Sequence, residues 1–325
     1  MPVPARERSG LKIFRGNNPL TPPDRGSVLA VGNFDGVHLG HQRVFRAAAA
    51  QAEILATRAA LLTFSGHPVG TLRPGKAPVP LMLPEDRLEI AEAFGFKMAF
   101  VLDFDAGLAS MSPERFTDEI LVSTLGAVGV VAGAQWRFGS GRRGTMELLE
   151  ELGRERGLET VAVDPVIAGR QPVSSTRIRE LLSRGDVTKA RGLLGRPHFV
   201  RGTVSRGRGR GKDLGFPTVN LDAGSVLIPA SGTYAGAYIL SGRIGPAAVN
   251  IGVSPTFSNG LPGVEAHLIG WEGDLYGETV TIVFLHRLRP EQVFADAGQL
   301  SCQIARDVER AGELFTPDAV KGVPE

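Results

Sequence analysis

Cysteine is almost missing from this chain of 325 residues, which contains Cys302 and no other cysteine. A single cysteine cannot form a disulfide within the chain or a structural zinc site made of cysteines alone. No run of about 18 apolar residues is present, so we expect no membrane span and no membrane partner. The first residues lack the basic and then apolar pattern of a secretion signal. These absences favour a cytoplasmic protein.

The chain also lacks an excess of charge of either sign, because 36 basic and 34 acidic side chains leave a net charge of only +2. The chain is therefore not a polyelectrolyte, and we expect no nucleic-acid partner. Internal repeats and low-complexity tracts are absent too. An apolar content of 42% is ordinary for a globular protein, and the length suits about two domains. Weak association between copies of the chain is left open.

Between residue 27 and about residue 185, strand-like and helix-like runs alternate. This alternation predicts an α/β domain with a parallel, doubly wound sheet, where ligands bind at the carboxyl ends of the strands. Residues 1–26 are expected to be irregular or to lie at an edge. The predicted strands are Val28–Val31, Ala60–Phe64, Ala99–Phe104, Val128–Ala132 and Thr160–Val163. The predicted helices cover residues 41–58, 85–95, 113–125, 145–156 and 175–184.

The pattern changes near residues 186–197, where a short polar helix and Gly195-Arg196-Pro197 predict a linker. Short β-rich runs follow and predict a closed antiparallel barrel, after which one long amphipathic helix is expected over Pro290–Phe315. We therefore predict two domains, 1–185 and 186–325. The predicted barrel strands are Phe199–Val204, Thr233–Leu240, Ala247–Ile251, Val264–Ile269 and Val280–Leu288.

The most informative segment is Gly32–His41, which joins the apolar run Val28–Val31 to an alanine-rich helix. His38 and His41 are three residues apart at the helix start and so share one face. The free N–H groups and the dipole of a helix N-terminus favour anions. A phosphate chain docked there would meet two imidazole donors.

A second helix start carries three consecutive hydroxyl side chains and an arginine: Ser174, Ser175, Thr176 and Arg177. One hydroxyl is enough to cap a helix, so the additional ones predict a donor nest for phosphate oxygens.

Two features of the second half suggest a separate phosphate site. Residues 205–212 alternate arginine with glycine, which suits either a mobile flap over phosphates or an RNA-binding loop. After Pro217, Thr218 and Asn220 fall on the same side of an extended chain. Their neutral oxygens suit Mg²⁺ shared with substrate phosphates, although a simple turn after proline is equally compatible.

The first half resembles a known enzyme family. Gly32–His41 resembles the G-x-F-D-G-x-H-x-G-H signature of nucleotidylyltransferases. Combined with Val173–Arg179, it is similar to the adenylyltransferase module of bacterial bifunctional riboflavin kinase/FAD synthetases, which transfers AMP from ATP to FMN. The resemblance implies that His38 and His41 contact the ATP phosphates and that Phe64 and Trp136 contact the flavin. It assigns nucleotide and phosphate binding to Gly32, Asn33, Phe34, Asp35, Gly36, Ser174, Ser175, Thr176 and Arg177.

The second half, over about residues 195–315, resembles the riboflavin kinase domain of the same family, whose fold is a six-stranded antiparallel barrel with a C-terminal helix. The resemblance makes Glu265 the base that accepts the proton of the ribityl hydroxyl, and it makes Thr218 and Asn220 the Mg²⁺–ATP ligands. Phosphate contacts fall to Gly207, Gly211 and Lys212, while Arg289 either contacts the flavin or is structural. The motifs that carry it, in order, are Gly232–Gly236, Asn250–Phe257, Val264–Leu268, Asp274–Gly277 and Leu288–Phe294.

The implied function is phosphorylation of riboflavin to FMN followed by adenylylation of FMN to FAD, with ATP as co-substrate and Mg²⁺ as cofactor. Two departures concern the second step. Gly66 replaces the first proline of the usual Thr-Phe-x-Pro-His-Pro run, and Gln135 replaces an acid or asparagine before Trp136. One alternative is therefore a riboflavin kinase whose first domain binds ligands with little turnover. Another is a nucleic-acid-binding regulator that uses the Arg-Gly run.

Overall fold

The carboxyl ends of parallel strands form one edge of a six-stranded sheet in the first half of the chain. The fold is taken from a computed structural model, which describes residues 10–16, 25–66, 70, 75–206, 211, 214–252 and 263–324. Two compact units are present. Unit 1 comprises the described residues of 1–78 and 84–173, and unit 2 comprises those of 79–83 and 174–324. The functional boundary predicted at residues 185/186 stays a prediction.

The sheet of unit 1 is parallel throughout, in the order β1-β4-β3-β2-β5-β6. The chain leaves β2 on one side to form β3 and β4 and returns on its other side to form β5, so the topological switch lies between β2 and β5. This confirms the predicted parallel α/β domain, with β1 as an edge strand. The strands are β1 Lys12–Arg15, β2 Ser27–Val31, β3 Arg58–Phe64, β4 Met98–Leu102, β5 Ala127–Gly133 and β6 Glu159–Val163, followed by the hairpin β7 Ile167–Ala168 and β8 Gln171–Pro172.

Both faces of this sheet are covered, which explains why its strands are continuous apolar runs. Leu29 and Val31 of β2 belong to a core cluster with Phe116 and Leu121, while helix α1 packs against β2, β3 and β5. The segment predicted as one helix over 113–125 is a short α-helix that continues as a π-helix. The helices are α1 Leu39–Ile54, α2 Pro84–Ala93, α3 Ala106–Ser110, α4 Pro113–Arg115, the π-helix Phe116–Thr124, the 3₁₀ turn Ser140–Arg142 and α5 Met146–Arg156.

Unit 2 contains the predicted closed barrel, with six antiparallel strands in the order β10-β13-β12-β11-β14-β9. Sequence reasoning missed β10 as a strand, because its four residues include the polar Asn220 and Asp222. The strands are β9 His198–Ser205, β10 Val219–Asp222, β11 Gly232–Leu240, β12 Arg243–Gly252, β13 Gly263–Leu268 and β14 Thr279–Arg289. The helices are α6 Ser175–Leu182, α7 Val187–Leu194, α8 Ala297–Leu314 and the 3₁₀ turn Pro317–Val320.

One predicted element of unit 2 differs from the structure. The final helix begins at Ala297 rather than Pro290, because Asp296 caps it by accepting a 2.8 Å hydrogen bond from the Gln299 N–H. The short helix predicted near residues 186–197 is α7, which buries Val187 and Leu194 and packs against β14 and β9. Among the described helices, none combines the length and apolar character needed to cross a bilayer.

His198 is a buried titratable group of the barrel. Its side chain is 3% exposed, its ring stacks on Phe284, and its Nε2 lies 2.9 Å from the Leu227 carbonyl oxygen, to which it donates. Burial lowers the pKa of His198 to about 4 from an ordinary value of 6.5, opposed by this hydrogen bond. Between those two pH values the unfolded chain binds a proton that the folded chain does not.

We therefore predict that the barrel loses stability as the pH falls from 6.5 to 4. His198→Gln should remove up to about 3 kcal/mol of that loss, because glutamine does not titrate there. Chemical denaturation at several pH values measures the difference. His286→Gln, which replaces a partly exposed histidine of β14, is the control. An unchanged pH dependence in His198→Gln would contradict the assignment.

Candidate functional site

The turn after β2 lies at the topological switch of unit 1, where open parallel sheets bind ligands. β2 pairs with β3 on one side and with β5 on the other. Residues 32–38 follow β2, and the segment with Trp136 follows β5. Since both leave the carboxyl edge of the sheet, the structure brings the predicted phosphate turn and one predicted flavin residue to the same edge.

The backbone of this turn is in the left-handed region at three of four consecutive positions. The φ angles are +51° at Phe34, +84° at Gly36 and +36° at Val37. For residues other than glycine this conformation is strained, and strain of this kind clusters at ligand-binding sites. The Phe34 ring is buried and packs against Phe45, with the two ring centroids 4.8 Å apart. This packing holds the turn in place.

His38 and His41 form a defined pair at the start of α1. The His38 Nδ1 accepts a hydrogen bond from the His41 backbone N–H at 3.3 Å, which makes His38 the N-cap of the helix. The two rings stack with centroids 3.6 Å apart and planes 17° apart. Because Nδ1 acts as an acceptor, the neutral His38 ring carries its proton on Nε2. The His38 Nε2 is therefore an N–H donor at a helix N-terminus.

Gly40 is a requirement of this arrangement that was not among the predicted site residues. A Cβ built on Gly40 would lie 3.1 Å from the His38 Cε1 and 3.2 Å from its Nδ1. A side chain at this position would require the His38 ring to shift by about a few tenths of an ångström. The signal was present in the sequence as the glycine between the two histidines.

Arg87 of α2 is the second residue that sequence reasoning missed. Its side chain is only 8% exposed, and its Nη1 donates to the Asn33 carbonyl and to the Thr63 hydroxyl. The site residues Asp35 and His38 are also buried. Nothing in the sequence separates Arg87 from the surface arginines, because only the fold reveals that α2 turns it toward the β2 turn.

The predicted flavin residues of unit 1 are found in aromatic contacts. Trp136 stacks on Phe138 with centroids 4.7 Å apart, while Phe64 is buried in edge contact with Phe104. Trp136 is half-buried and packs against the core cluster of unit 1. Gln135 is exposed, and a Cβ on Gly66 would meet no atom of the described residues within 4 Å. His67 lies outside the described residues.

The hydroxyl cluster Ser174, Ser175, Thr176 and Arg177 lies in unit 2, at the start of α6. Ser174 is the N-cap, accepting a 3.3 Å hydrogen bond from the Arg177 N–H. Ser175 is half-buried and Thr176 is exposed. The expectation that this cluster holds phosphate oxygens stays a prediction.

A lateral row of polar side chains crosses the barrel. Glu265 of β13 lies directly opposite Asn220 of β10 on one side and directly opposite Asn250 of β12 on the other. Asn250 in turn lies opposite Thr233 of β11. Directly paired residues point to the same side of a sheet, with Cβ atoms about 5 Å apart. Val264 and Ala266 are buried on the inner side, so the half-buried Glu265 carboxylate lies on the outer side beside the Asn220 amide.

Asn220 combines burial of its side chain with an unpartnered polar atom among the described residues. Its side chain is 6% exposed, and within the described part of the chain its buried Oδ1 has no hydrogen-bond partner. Such an oxygen is costly unless it is partnered by a ligand or an ion. Gly211 lies against Thr218, where a Cβ would come within 3.0 Å of the Thr218 Oγ1 and would collide with the Phe216 carbonyl. Thr218 itself is exposed.

Arg289 is held by an acidic partner. Its Nη2 and Nε donate to the Asp307 Oδ2 at 2.8 and 3.0 Å, and Gln303 also donates to Asp307. This buried ion pair ties the end of β14 to helix α8. The flavin contact predicted for Arg289 stays a prediction, as do the phosphate contacts of Gly207 and Lys212, which lie outside the described residues.

Comparison with known proteins separates the two halves in the same way. The family model for FAD synthetase matches residues 20–177, and the family model for riboflavin kinase matches residues 194–315. A bifunctional riboflavin kinase/FMN adenylyltransferase from Pseudomonas fluorescens is 34% identical over 95% of this chain and 99% of its own length. The chain belongs to the bifunctional riboflavin kinase/FMN adenylyltransferase family.

Other members of this family match over similar lengths. The one from Bacillus subtilis is 34% identical, over 89% of this chain and 93% of its own length. A solved structure described as a macrolide-efflux protein from Streptococcus pneumoniae superposes with a TM-score of 0.85 at 30% identity. It covers 94% of this chain and 100% of the other.

We predict that Asn220→Leu stabilises the free protein while removing the predicted metal ligand. Loss of a buried, unpartnered oxygen should raise the free energy of unfolding by about 1 kcal/mol, which is an increase of about 3 °C in Tm. Thermal unfolding without nucleotide measures this change. Asn250→Leu, at the exposed neighbouring position of the same row, is the control and should change Tm by less. A clear fall in Tm for Asn220→Leu would show that its amide is partnered in the free protein.

Proposed function

We propose that this chain makes FAD from riboflavin in two ATP-dependent steps, phosphorylation to FMN in the barrel and adenylylation of FMN on the parallel sheet. The observation that carries the proposal is that each family model covers one set of polar groups. The groups matched by the FAD synthetase model suit adenylyl transfer, and those matched by the riboflavin kinase model suit phosphoryl transfer. Asn220 faces Glu265 in the barrel, and His38 caps α1 beside His41 on the sheet.

In the kinase step, a primary hydroxyl of riboflavin attacks the γ-phosphorus of ATP, and ADP leaves. The hydroxyl must lose its proton, and Glu265 is the acceptor, since its carboxylate lies half-buried on the outer face of the barrel. Direct pairing of Glu265 with Asn220 supports this role, because the carboxylate would then lie next to the oxygen proposed to hold the metal–nucleotide. In-line positioning then accounts for most of the rate enhancement.

Mg²⁺ is the cofactor that fits these residues. The orphaned Oδ1 of Asn220 and the hydroxyl of Thr218 are neutral hard oxygens, and Mg²⁺ prefers a few such ligands together with water and substrate phosphates. When bound, the ion neutralises charge on the phosphate oxygens. Among the described residues, no cluster of three His, Cys, Asp or Glu side chains provides an alternative metal site.

In the adenylylation step, a phosphate oxygen of FMN attacks the α-phosphorus of ATP, and pyrophosphate leaves. No covalent enzyme intermediate and no proton acceptor is required, because the attacking phosphate is already ionised. His38 and His41 donate hydrogen bonds to phosphate oxygens as negative charge moves toward the pyrophosphate. Trp136 offers a stacking surface for the flavin ring.

The alternative with a weakly active first domain rests on Gln135 and Gly66. Gln135 is exposed and Gly66 has open space, so neither substitution disturbs the packing of the turn. The intact His38–His41 pair therefore favours the two-step function.

Riboflavin, FMN and ATP are the proposed partners. The RNA alternative rests on a run lying mostly outside the described residues. Cytoplasmic location and weak self-association stay predictions.

Two variants should separate the steps. Glu265→Gln keeps the size of the side chain but cannot accept a proton, so formation of FMN should fall at least about 100-fold while supplied FMN is still converted to FAD. His38→Ala should show the reverse. Chromatography of the flavins after incubation with Mg–ATP measures both. Equal loss of both steps in either variant would contradict the assignment of the sites.

A third variant tests the close contact between Gly40 and His38. Gly40→Ala should slow the conversion of FMN to FAD by about ten-fold, because the added methyl displaces the His38 ring, whereas riboflavin phosphorylation should be unaffected. Gly192→Ala is the matched control, since a Cβ on this glycine of α7 meets no atom within 4 Å. An unchanged rate in Gly40→Ala would show that the position of the His38 ring is not limiting.

A further inference from the structure

Arg87 is a buried cation under the phosphate turn. Its side chain on α2 is 8% exposed, whereas arginine is ordinarily found at the surface. Taking a guanidinium out of water is strongly unfavourable unless its charge and its donors are compensated. The burial of Arg87 at this position therefore needs a physical reason.

The hydrogen bonds of Arg87 tie two neighbouring strands together at the carboxyl edge. Its Nη1 donates to the carbonyl of Asn33, just after β2, and at 2.9 Å to the hydroxyl of Thr63, near the end of β3. The Thr63 hydroxyl lies 3.5 Å from the same Asn33 carbonyl. Arg87 thus fixes the first residues of the turn whose other end carries His38.

The positive charge of Arg87 is only partly compensated by the protein. Within the described residues, the buried Nε of Arg87 has no hydrogen-bond partner, and the hydrogen bonds of its Nη1 go to neutral oxygens. Burial lowers the pKa of Arg87, while Asp35 and Glu85 act from a longer distance to raise it. Arginine nevertheless remains protonated in proteins. A buried, incompletely neutralised charge on α2 therefore lies against the turn.

We propose that Arg87 is a positioning residue for adenylyl transfer, holding the turn through Asn33 and supplying a fixed buried charge that the polyphosphate of ATP neutralises. This inference rests on the proposed function of unit 1. The anion completes the compensation that the protein leaves open. Because negative charge moves onto pyrophosphate as it leaves, the same charge should favour the transition state as well as binding.

The test compares Arg87→Met, which removes the charge and both hydrogen bonds, with Arg87→Lys, which keeps the charge. Binding of inorganic pyrophosphate with Mg²⁺ is measured by calorimetry on the full chain, and His38→Ala identifies the binding event that belongs to this turn. Arg87→Met should weaken this binding by about ten-fold or more and should lower kcat for FAD formation. Arg87→Lys should bind within about three-fold of the original protein and should recover most of kcat.

Two controls separate charge from structure. Thr63→Val removes one hydrogen-bond acceptor of Arg87 but keeps the charge, so pyrophosphate binding should change by less than about three-fold. Arg46→Met removes an equal charge from the exposed face of α1 and should leave binding unchanged. The loss in Arg87→Met should persist at raised ionic strength, since buried charges are poorly screened.

The proposal is overturned if folded Arg87→Met binds pyrophosphate as the original protein does, or if Arg87→Lys loses as much affinity as Arg87→Met. If Arg87→Met does not fold, Arg87→Gln takes its place, because glutamine also removes the charge but can still donate to the Asn33 carbonyl. Failure of the proposed function has a different signature, because the original protein would then form no FAD from FMN and Mg–ATP.

Discussion

Strand register is the constraint on which both candidate sites depend. In the barrel, pairing of Asn220 with Glu265 places a carboxylate beside a buried amide oxygen that has no hydrogen-bond partner among the described residues. A shift by one residue would turn Glu265 into the barrel core and Val264 outward. In unit 1, parallel pairing of β2 with β3 and β5 aligns the ends of the strands at one edge. The chemistry at each site follows from which strand ends and side chains the register makes neighbours.

Each site also contains polar groups that the protein alone leaves incompletely satisfied. Among the described residues, the buried Oδ1 of Asn220 and the buried Nε of Arg87 have no hydrogen-bond partner. Burying these groups without partners lowers the free energy of unfolding, and binding of a metal or a phosphate would offset that loss. Strained φ angles at Phe34 and Val37 belong to the same pattern. Stability and function are therefore in tension at both sites.

The sequence predicted the two fold classes well, because buried parallel strands and short barrel strands have distinct apolar patterns. The Gly32–His41 turn was also predictable, since its glycines and histidines are close together in the chain. β10 was missed because Asn220 and Asp222 interrupt its apolar pattern, and α8 was started too early because Asp296 was not recognised as its cap. Arg87 was not predictable, since its role depends on burial that arises only when α2 packs beside the β2 turn.

The central claim is that the two sites break different bonds of ATP. Two analogues test it, each with a methylene group in place of one bridging oxygen. With α,β-methylene ATP, riboflavin should be converted to FMN and no further. With β,γ-methylene ATP, riboflavin should remain unchanged while supplied FMN becomes FAD. Phosphorylation of riboflavin by the β,γ-methylene analogue, or failure of that analogue to yield FAD from FMN while bound to the protein, would contradict the account.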